Sequence, residues 1–239
     1  MPHSPTPASV ALARRNPALV VLEGFHAVKH ALRFGARLEG LVTPDREALA
    51  ALCADLAPDV AGALAGAADV DAATFAAMAP FPIPTPVLAI ARRPGVEVAR
   101  LLAGPGRIVL LDWPRNLGNI GAVVRVAAAA GIAGVLTTGD RDPWDSAALR
   151  GSAGLHFAVP VVRIDSLPPG DRPLVALHPE GEPLGRTPIP NDAVLAFGSE
   201  RQGLDRALLD RAALRLAIPM RPGVSSLNLA TSVAVVVYS

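Results

Sequence analysis

Cysteine is nearly missing from this chain of 239 residues: Cys53 stands alone. A single thiol excludes an intramolecular disulfide framework and a cysteine-cluster metal site. Lysine is as scarce, because all but Lys29 of the 22 basic residues are arginine. A coding bias that also enriches Ala, Gly and Pro would produce this, and so would a need for bidentate phosphate contacts. Composition does not separate the two. Excess charge is absent too: 22 bases against 21 acids leave a net +1, which excludes a polybasic protein whose affinity rests on bulk charge. No apolar run approaches the roughly 18 residues of a membrane span, and the best candidate, 122–136, carries Arg125 inside it. The first apolar run has Arg14 and Arg15 after it rather than before it, the wrong order for a secretory signal. Alanine supplies 45 of the residues, so a 51% hydrophobic content reflects alanine and not a membrane protein. The expectation is a cytoplasmic protein with no membrane association.

Charge is unevenly distributed along the chain. Residues 1–37 carry a local +4, 38–98 a local −5 and 99–239 a local +2. Pro80, Pro82, Pro84 and Pro86 favour extended chain and cannot continue a helix. A boundary is therefore expected between about 92 and 106, with a small α/β domain over 1–95, a linker over 96–106 and a second domain over 107–239. In the first domain the apolar run 18–22 precedes helical spacing of Phe25, Val28, Ala31 and Leu32, then a short strand at 38–42 and a helix at 46–56. The second alternates strand and helix. Strands are predicted at 107–112, 134–138, 158–163, 173–177, 193–197 and 214–218, and helices at 120–130, 146–152, 205–211 and 226–238. Gly131 is placed as the stop of the first of these helices. Strands this apolar, interleaved with helices, imply an α/β fold with a mostly parallel sheet covered on both faces.

Several common site types have no counterpart. The chain holds no GxGxxG after a strand, no GxxxxGK[ST], no GxSxG and no HExxH. His26 and His30, four apart, share a helical face in the basic stretch and read as surface or RNA-facing residues rather than metal ligands. Cys53 among Leu49, Leu52 and Leu56 reads as a packed thiol.

Distinctive segments follow apolar strands at their C-terminal ends, where parallel α/β sheets place their sites. In Asn116-Leu117-Gly118-Asn119-Ile120-Gly121, ending at Arg125, glycines and asparagines suggest a tight loop with free amides before a helix. Arg125 is then either a solvated or ion-paired residue or a functional cation. In Gly198-Ser199-Glu200-Arg201-Gln202-Gly203-Leu204 a carboxylate follows a buried strand, either as a helix N-cap acid or as a functional group. In Ile218-Pro219-Met220, continuing to Ser226-Leu227-Asn228, Ser226 is expected to cap the last helix and Asn228 to lie just inside it, bonding neighbouring backbone.

Each segment alone is weak. In this order they resemble the SpoU (TrmH-type) branch of the SPOUT RNA methyltransferases, over about 107–239. Asn116-x-Gly118-Asn119-x-Gly121-x-x-x-Arg125, Gly198-x-Glu200-x-x-Gly203-Leu204, and Ile218-Pro219-Met220 with Ser226-Leu227-Asn228 are similar to that family's three motifs. Arg150-Gly151-Ser152-Ala153-Gly154 is similar to its intermediate segment, and Leu22-Glu23-Gly24-Phe25-His26 to the opening of its small substrate-binding domain.

The resemblance implies transfer of a methyl group from S-adenosylmethionine to a ribose 2′-hydroxyl of structured RNA, ribosomal or transfer. It also implies a C-terminal trefoil knot, a homodimer and no metal. Gly198, Ile218, Met220 and Leu227 are expected to line the cofactor site, with Leu177 and His178 at its edge. Arg125 is the expected catalytic residue, aided by Asn116, Glu200, Ser226 and Asn228. The alternative is a non-catalytic RNA-binding protein that keeps the fold.

Overall fold

The structure is a computed structural model that describes residues 4–199 and 201–239; Glu200 and His3 lie outside the described residues. The chain divides into two compact units, one of residues 1–95 with 153–158, the other of 96–152 with 159–239.

In the first unit, α1 (Pro7–Arg15) opens on a reciprocal cap. The Thr6 hydroxyl accepts the Ser9 amide while the Ser9 hydroxyl accepts the Thr6 amide, and Pro7 sits where no amide is needed. There follow β1 (Leu19–Glu23), α2 (Phe25–Arg33), β2 (Leu38–Thr43), α3 (Arg46–Leu56), α4 (Ala61–Leu64), β3 (Ala68–Asp69), α5 (Ala72–Met78) and β4 (Leu88–Arg92). The sheet order is β1-β4-β2-β3; β4 runs antiparallel to both its neighbours and β2 runs parallel to β3. This sheet is therefore mixed. Val10 and Ala13 of α1, with Phe75 and Met78 of α5, pack on Val21, Val42, Leu88 and Ile90.

The central strand β4 is the element that the sequence pattern concealed. Its approach, with prolines at alternate positions, reads only as extended chain, and it leads straight into the sheet. The Phe25 amide donates to Thr85 Oγ1, the Gly24 amide to the Val87 carbonyl, and the Thr43 hydroxyl to the Pro86 carbonyl. Gly24 adopts φ +87°, a left-handed conformation that suits glycine.

The second unit contains α6 (Val98–Ala103), β5 (Ile108–Leu111), α7 (Leu117–Ala129), β6 (Gly134–Thr137), α8 (Ser146–Ser152), β7 (Val161–Arg163), β8 (Leu174–Pro183), β9 (Val194–Phe197), α9 (Arg206–Arg211), β10 (Leu214–Ala217) and α10 (Leu229–Val237). Its six strands lie in the order β10-β8-β9-β5-β6-β7, and every pairing is parallel. The central strand β5 is wholly buried, as expected of a sheet covered on both sides. Ile108, Leu110, Leu174, Ala176, Val194 and Ala196 share one core with Leu204 and Leu208. Gly131 ends α7 at φ +67°.

Differences from the sequence reading have local causes. The stretch read as linker holds α6, whose Leu101 packs over Gly134, where a Cβ would come within 2.7 Å of it. α7 begins at Leu117, three residues before the expected start, because Asn116 caps it. α10 begins at Leu229, after the expected 226, because Asn228 and not Ser226 is its cap. β8 extends past 177 but slips register: Arg215 faces Ala176 while Leu216 faces Glu182. The residues between loop out of the ladder. Gly181 permits the slip, since a Cβ there would lie 2.6 Å from the Leu216 backbone.

Candidate active site

The register slip in β8, the hairpin after β9 and the loop after β10 line an open cavity of about 770 Å³ at the C-terminal end of the parallel sheet. Leu177 and His178 come from the slipped segment, Gly198 and Ser199 from the hairpin, and Ile218 through Leu227 from the loop. Every residue expected to line a cofactor site, Leu177, His178, Gly198, Ile218, Met220 and Leu227, lines this cavity, and so does Ser226. The hairpin is tight. Ser199 and Gly203 exchange both backbone hydrogen bonds, at 3.1 and 3.0 Å, and the Gln202 amide donates to Ser199 Oγ. A Cβ on Gly198 would lie 2.0 Å from the Gly203 carbonyl carbon, so this position admits only glycine. Glu200, between them in sequence, is outside the described residues. Leu216, Arg221, Leu229 and Ser232 also line the cavity. The sequence reading missed them because nothing local distinguishes them from core or loop.

Beside the cavity, the end of β5 is tied to the end of β9. The Asp112 amide donates to the Phe197 carbonyl at 2.8 Å. The Asp112 carboxylate is buried, and its oxygens accept the Thr138 hydroxyl at 2.7 Å and the Asp205 amide at 2.9 Å. Both oxygens are thus satisfied, as burial of a charge requires.

The first motif is a helix start and not the expected loop. Asn116 Oδ1 accepts the Asn119 amide at 3.1 Å and caps α7. Its glycines serve a helix contact. A Cβ on Gly121 would stand 2.1 Å from the Ala148 carbonyl oxygen, and one on Gly151 would stand 2.9 Å from the Gly118 carbonyl oxygen. α7 and α8 meet there backbone to backbone.

Asn228 Oδ1 accepts the Ala230 and Thr231 amides, and its Nδ2 donates to Asn119 Oδ1 at 3.0 Å. One side chain thereby caps α10 and joins the third motif to the first. Asn119, within the quoted motif, emerges as the partner that sequence alone did not single out. Arg125 is exposed on α7 and makes no ion pair or hydrogen bond among the described residues. Arg125, Asn116 and Asn228 are not among the residues lining the cavity.

The basic stretch 1–37 looks different in three dimensions. Lys29 is buried, its ammonium 5.7 Å from the centre of the Phe25 ring. Arg14 Nη2 lies 2.7 Å from Glu23 Oε1. Arg33 grips Asp59 with two hydrogen bonds of 2.7 Å, which raises its own pKa and holds the Asp59 carboxyl below the usual carboxylate range. Arg15 and Arg37 remain exposed. His30 Nδ1 donates to the Ala153 carbonyl at 2.8 Å, and the His26 and His30 ring centres stand 6.5 Å apart. Among the described residues no cluster of His, Cys, Asp and Glu is arranged to hold a metal ion.

Residues 106–238, which hold the capped α7, the Gly198 hairpin and the loop before α10, match the SpoU rRNA Methylase family. The chain belongs to that family. It is 32% identical over 172 residues to the 23S rRNA (guanosine(2553)-2′-O)-methyltransferase of Bacillus subtilis, covering 69% of this chain and 68% of that protein. It is also 32% identical over 236 residues to an uncharacterized tRNA/rRNA methyltransferase of Mycobacterium bovis, covering 92% of this chain and 80% of the relative. The crystal structure of the SpoU methyltransferase AviRb from Streptomyces viridochromogenes, in complex with the cofactor AdoMet, aligns with a TM-score of 0.79 at 22% identity. That alignment covers 96% of this chain and 93% of that one, and it bears on the fold. No described helix is long and apolar enough to cross a membrane.

Proposed function

We propose that this SpoU-family chain transfers a methyl group from S-adenosylmethionine to a ribose 2′-hydroxyl of structured RNA, ribosomal or transfer. The observation that carries the reading is the cavity itself, whose walls come from the second and third motifs. Its volume of about 770 Å³ suits a nucleoside-sized ligand. Leu177, Leu216, Ile218, Met220 and Leu227 offer apolar walls, while the backbone at Gly198 has no side chain to intrude. This lining suits S-adenosylmethionine, which when bound would supply an electrophilic methyl group and a neutral leaving group.

What remains for the protein is the nucleophile. A ribose hydroxyl is a weak acid, and it must lose its proton as it attacks. Arg125 serves as a cation and not as a free base, because a guanidinium offers only N–H donors and no acceptor. It clamps the phosphate beside the target ribose and stabilises charge developing on the 2′-oxygen. Asn116 and Asn228 act as positioning residues: each fixes a helix start, and Asn228 ties both starts together through Asn119. Ser226 and Glu200 are assigned to orienting the nucleotide. None of these roles calls for a metal.

The same proposal includes a cytoplasmic location, a trefoil knot in 107–239 and a small RNA-binding domain over 1–95. It also includes a homodimer. Arg125 is not among the cavity-lining residues, and exposed Val235 and Tyr238, on and after α10, supply apolar surface for a second copy.

Transfer of labelled methyl from S-adenosylmethionine to bulk RNA is the direct test. Methylation is expected with wild type and lost with Arg125→Ala, while calorimetry still registers cofactor binding. RNA binding without transfer would replace this reading by a non-catalytic RNA-binding protein. Near-normal turnover of the variant would remove Arg125 from its assigned role.

A further inference from the structure

Trp113 follows the central strand β5, and its exposure is maintained against ordinary conformational preference. The side chain is 54% exposed, yet the backbone stands at φ +49°, in the left-handed region that large side chains avoid. Several contacts hold it there. The Trp113 amide donates to Thr138 Oγ1 at 2.9 Å, and that hydroxyl donates to the buried Asp112 carboxylate. Under the indole lies Gly139, where a Cβ would come within 2.9 Å of Cε3 and 3.0 Å of Cδ2, so one ring face rests on bare backbone. The ring is thus fixed from behind and open in front. Burial does not explain this arrangement, because the ring is mostly in solvent.

The surroundings indicate what would cover it. Arg115 follows two residues later and is exposed; Arg141 follows Gly139 by two and is also exposed. Arg163 is exposed, and its Nη1 donates to the Asp140 carbonyl, next to Gly139. A fixed aromatic face with exposed arginines near it in sequence, Arg141 standing 3.9 Å from Asp140 Oδ1, suits a nucleotide, with the base stacked on the ring and phosphates met by guanidinium groups. An apolar protein partner would not call for those cations. Asp112, the neighbour of Trp113, is hydrogen-bonded to Phe197, which leads into the Gly198 hairpin of the cavity.

We infer that Trp113 is a stacking platform for a base of the RNA substrate, placed beside the methyl-transfer site. This rests on the RNA methyltransferase reading above, and it adds a residue that none of the family motifs contains.

The tryptophan content makes the test direct. The chain has 2 tryptophans, and Trp144 is buried with its Nε1 donating to the Val161 carbonyl. Deproteinised ribosomal RNA titrated into the full chain is expected to quench Trp113 emission. Trp113→Phe should keep most of the RNA affinity and leave the remaining Trp144 emission unresponsive. Trp113→Ala should weaken RNA binding on the order of tenfold or more, with cofactor binding by calorimetry unchanged. RNA binding with no change in emission, or an alanine variant that binds RNA as wild type does, overturns the platform. So does quenching that follows protein concentration without RNA, which would assign the ring to self-association. The two readings fail separately: quenching without methyl transfer removes the methyltransferase reading alone, whereas methyl transfer without quenching removes the platform alone.

Discussion

Gly121 acts through the side chain it lacks. A Cβ there would lie 2.1 Å from a main-chain oxygen of α8, and neither helix can yield without moving its backbone. Gly121→Ala is expected to destabilise the protein by about 1–3 kcal/mol or more, read as a lower denaturant midpoint at unchanged slope. The motif was legible in the sequence, but its reason was not, because Ala148 lies far along the chain. Cys53 was fully legible. It is buried on α3, and burial pushes its thiol pKa up. The native protein should resist iodoacetamide at neutral pH, whereas the denatured chain should react promptly. Rapid labelling of the folded protein would contradict the packing seen around it.

At the scale of elements, α10 depends on its first residue. Its run of Val233, Val235, Val236 and Val237 has weak intrinsic helix preference, so capping and burial must hold it. Asn228→Ala should cost roughly 1 kcal/mol through the lost cap. Asn228→Asp retains acceptors for the Ala230 and Thr231 amides but loses the donation to Asn119. The aspartate variant is therefore expected to melt near wild type and yet lose methyl transfer, a separation that thermal melts and a labelled-methyl assay together would reveal. Equal activity in the two proteins would confine Asn228 to capping. The cap was misassigned to Ser226 because both Ser and Asn are good caps in isolation, and only the observed backbone selects between them. β4 was concealed for a related reason: prolines exclude a helix, but whether an extended segment pairs depends on strands distant in sequence.

For the molecule as a whole, the sequence places a local +4 on residues 1–37, and the tertiary structure redistributes that charge. Arg14 and Arg33 are engaged by acids and Lys29 is buried. Arg33→Ala should accordingly alter the stability of the first unit more than RNA affinity. Arg125→Ala should reduce the slope of log affinity against log salt by about one phosphate contact, measured by RNA binding across a salt series. The carboxyls of Asp59 and Asp71 titrate below their ordinary range, Asp59 through its hydrogen bonds from Arg33 and Asp71 through those from Thr74. Their folded pKa values are lower than the unfolded ones. Their contribution to stability is thus present above the unfolded value of about 3.9 and disappears as pH falls through the lower folded values. Both carboxyls are solvent-exposed, so the loss should be small, and NMR titration of these groups is the measurement that would show it.

By itself the sequence determined what depends on near neighbours: the apolar strands of the second unit, the stop at Gly131, the packed thiol, and the ordered motifs that mark a SpoU methylase. Those features rest on periodicity, backbone freedom and residue type, which act within a few positions. Only the tertiary structure decided what depends on distant segments meeting. It placed β4 at the centre of its sheet, slipped β8 to open the cavity, joined Asn228 to Asn119, withdrew much of the basic charge of the first segment, and left Trp113 facing solvent. Long-range pairing sets each of these, and pairing energies between remote segments leave no local trace in the order of residues.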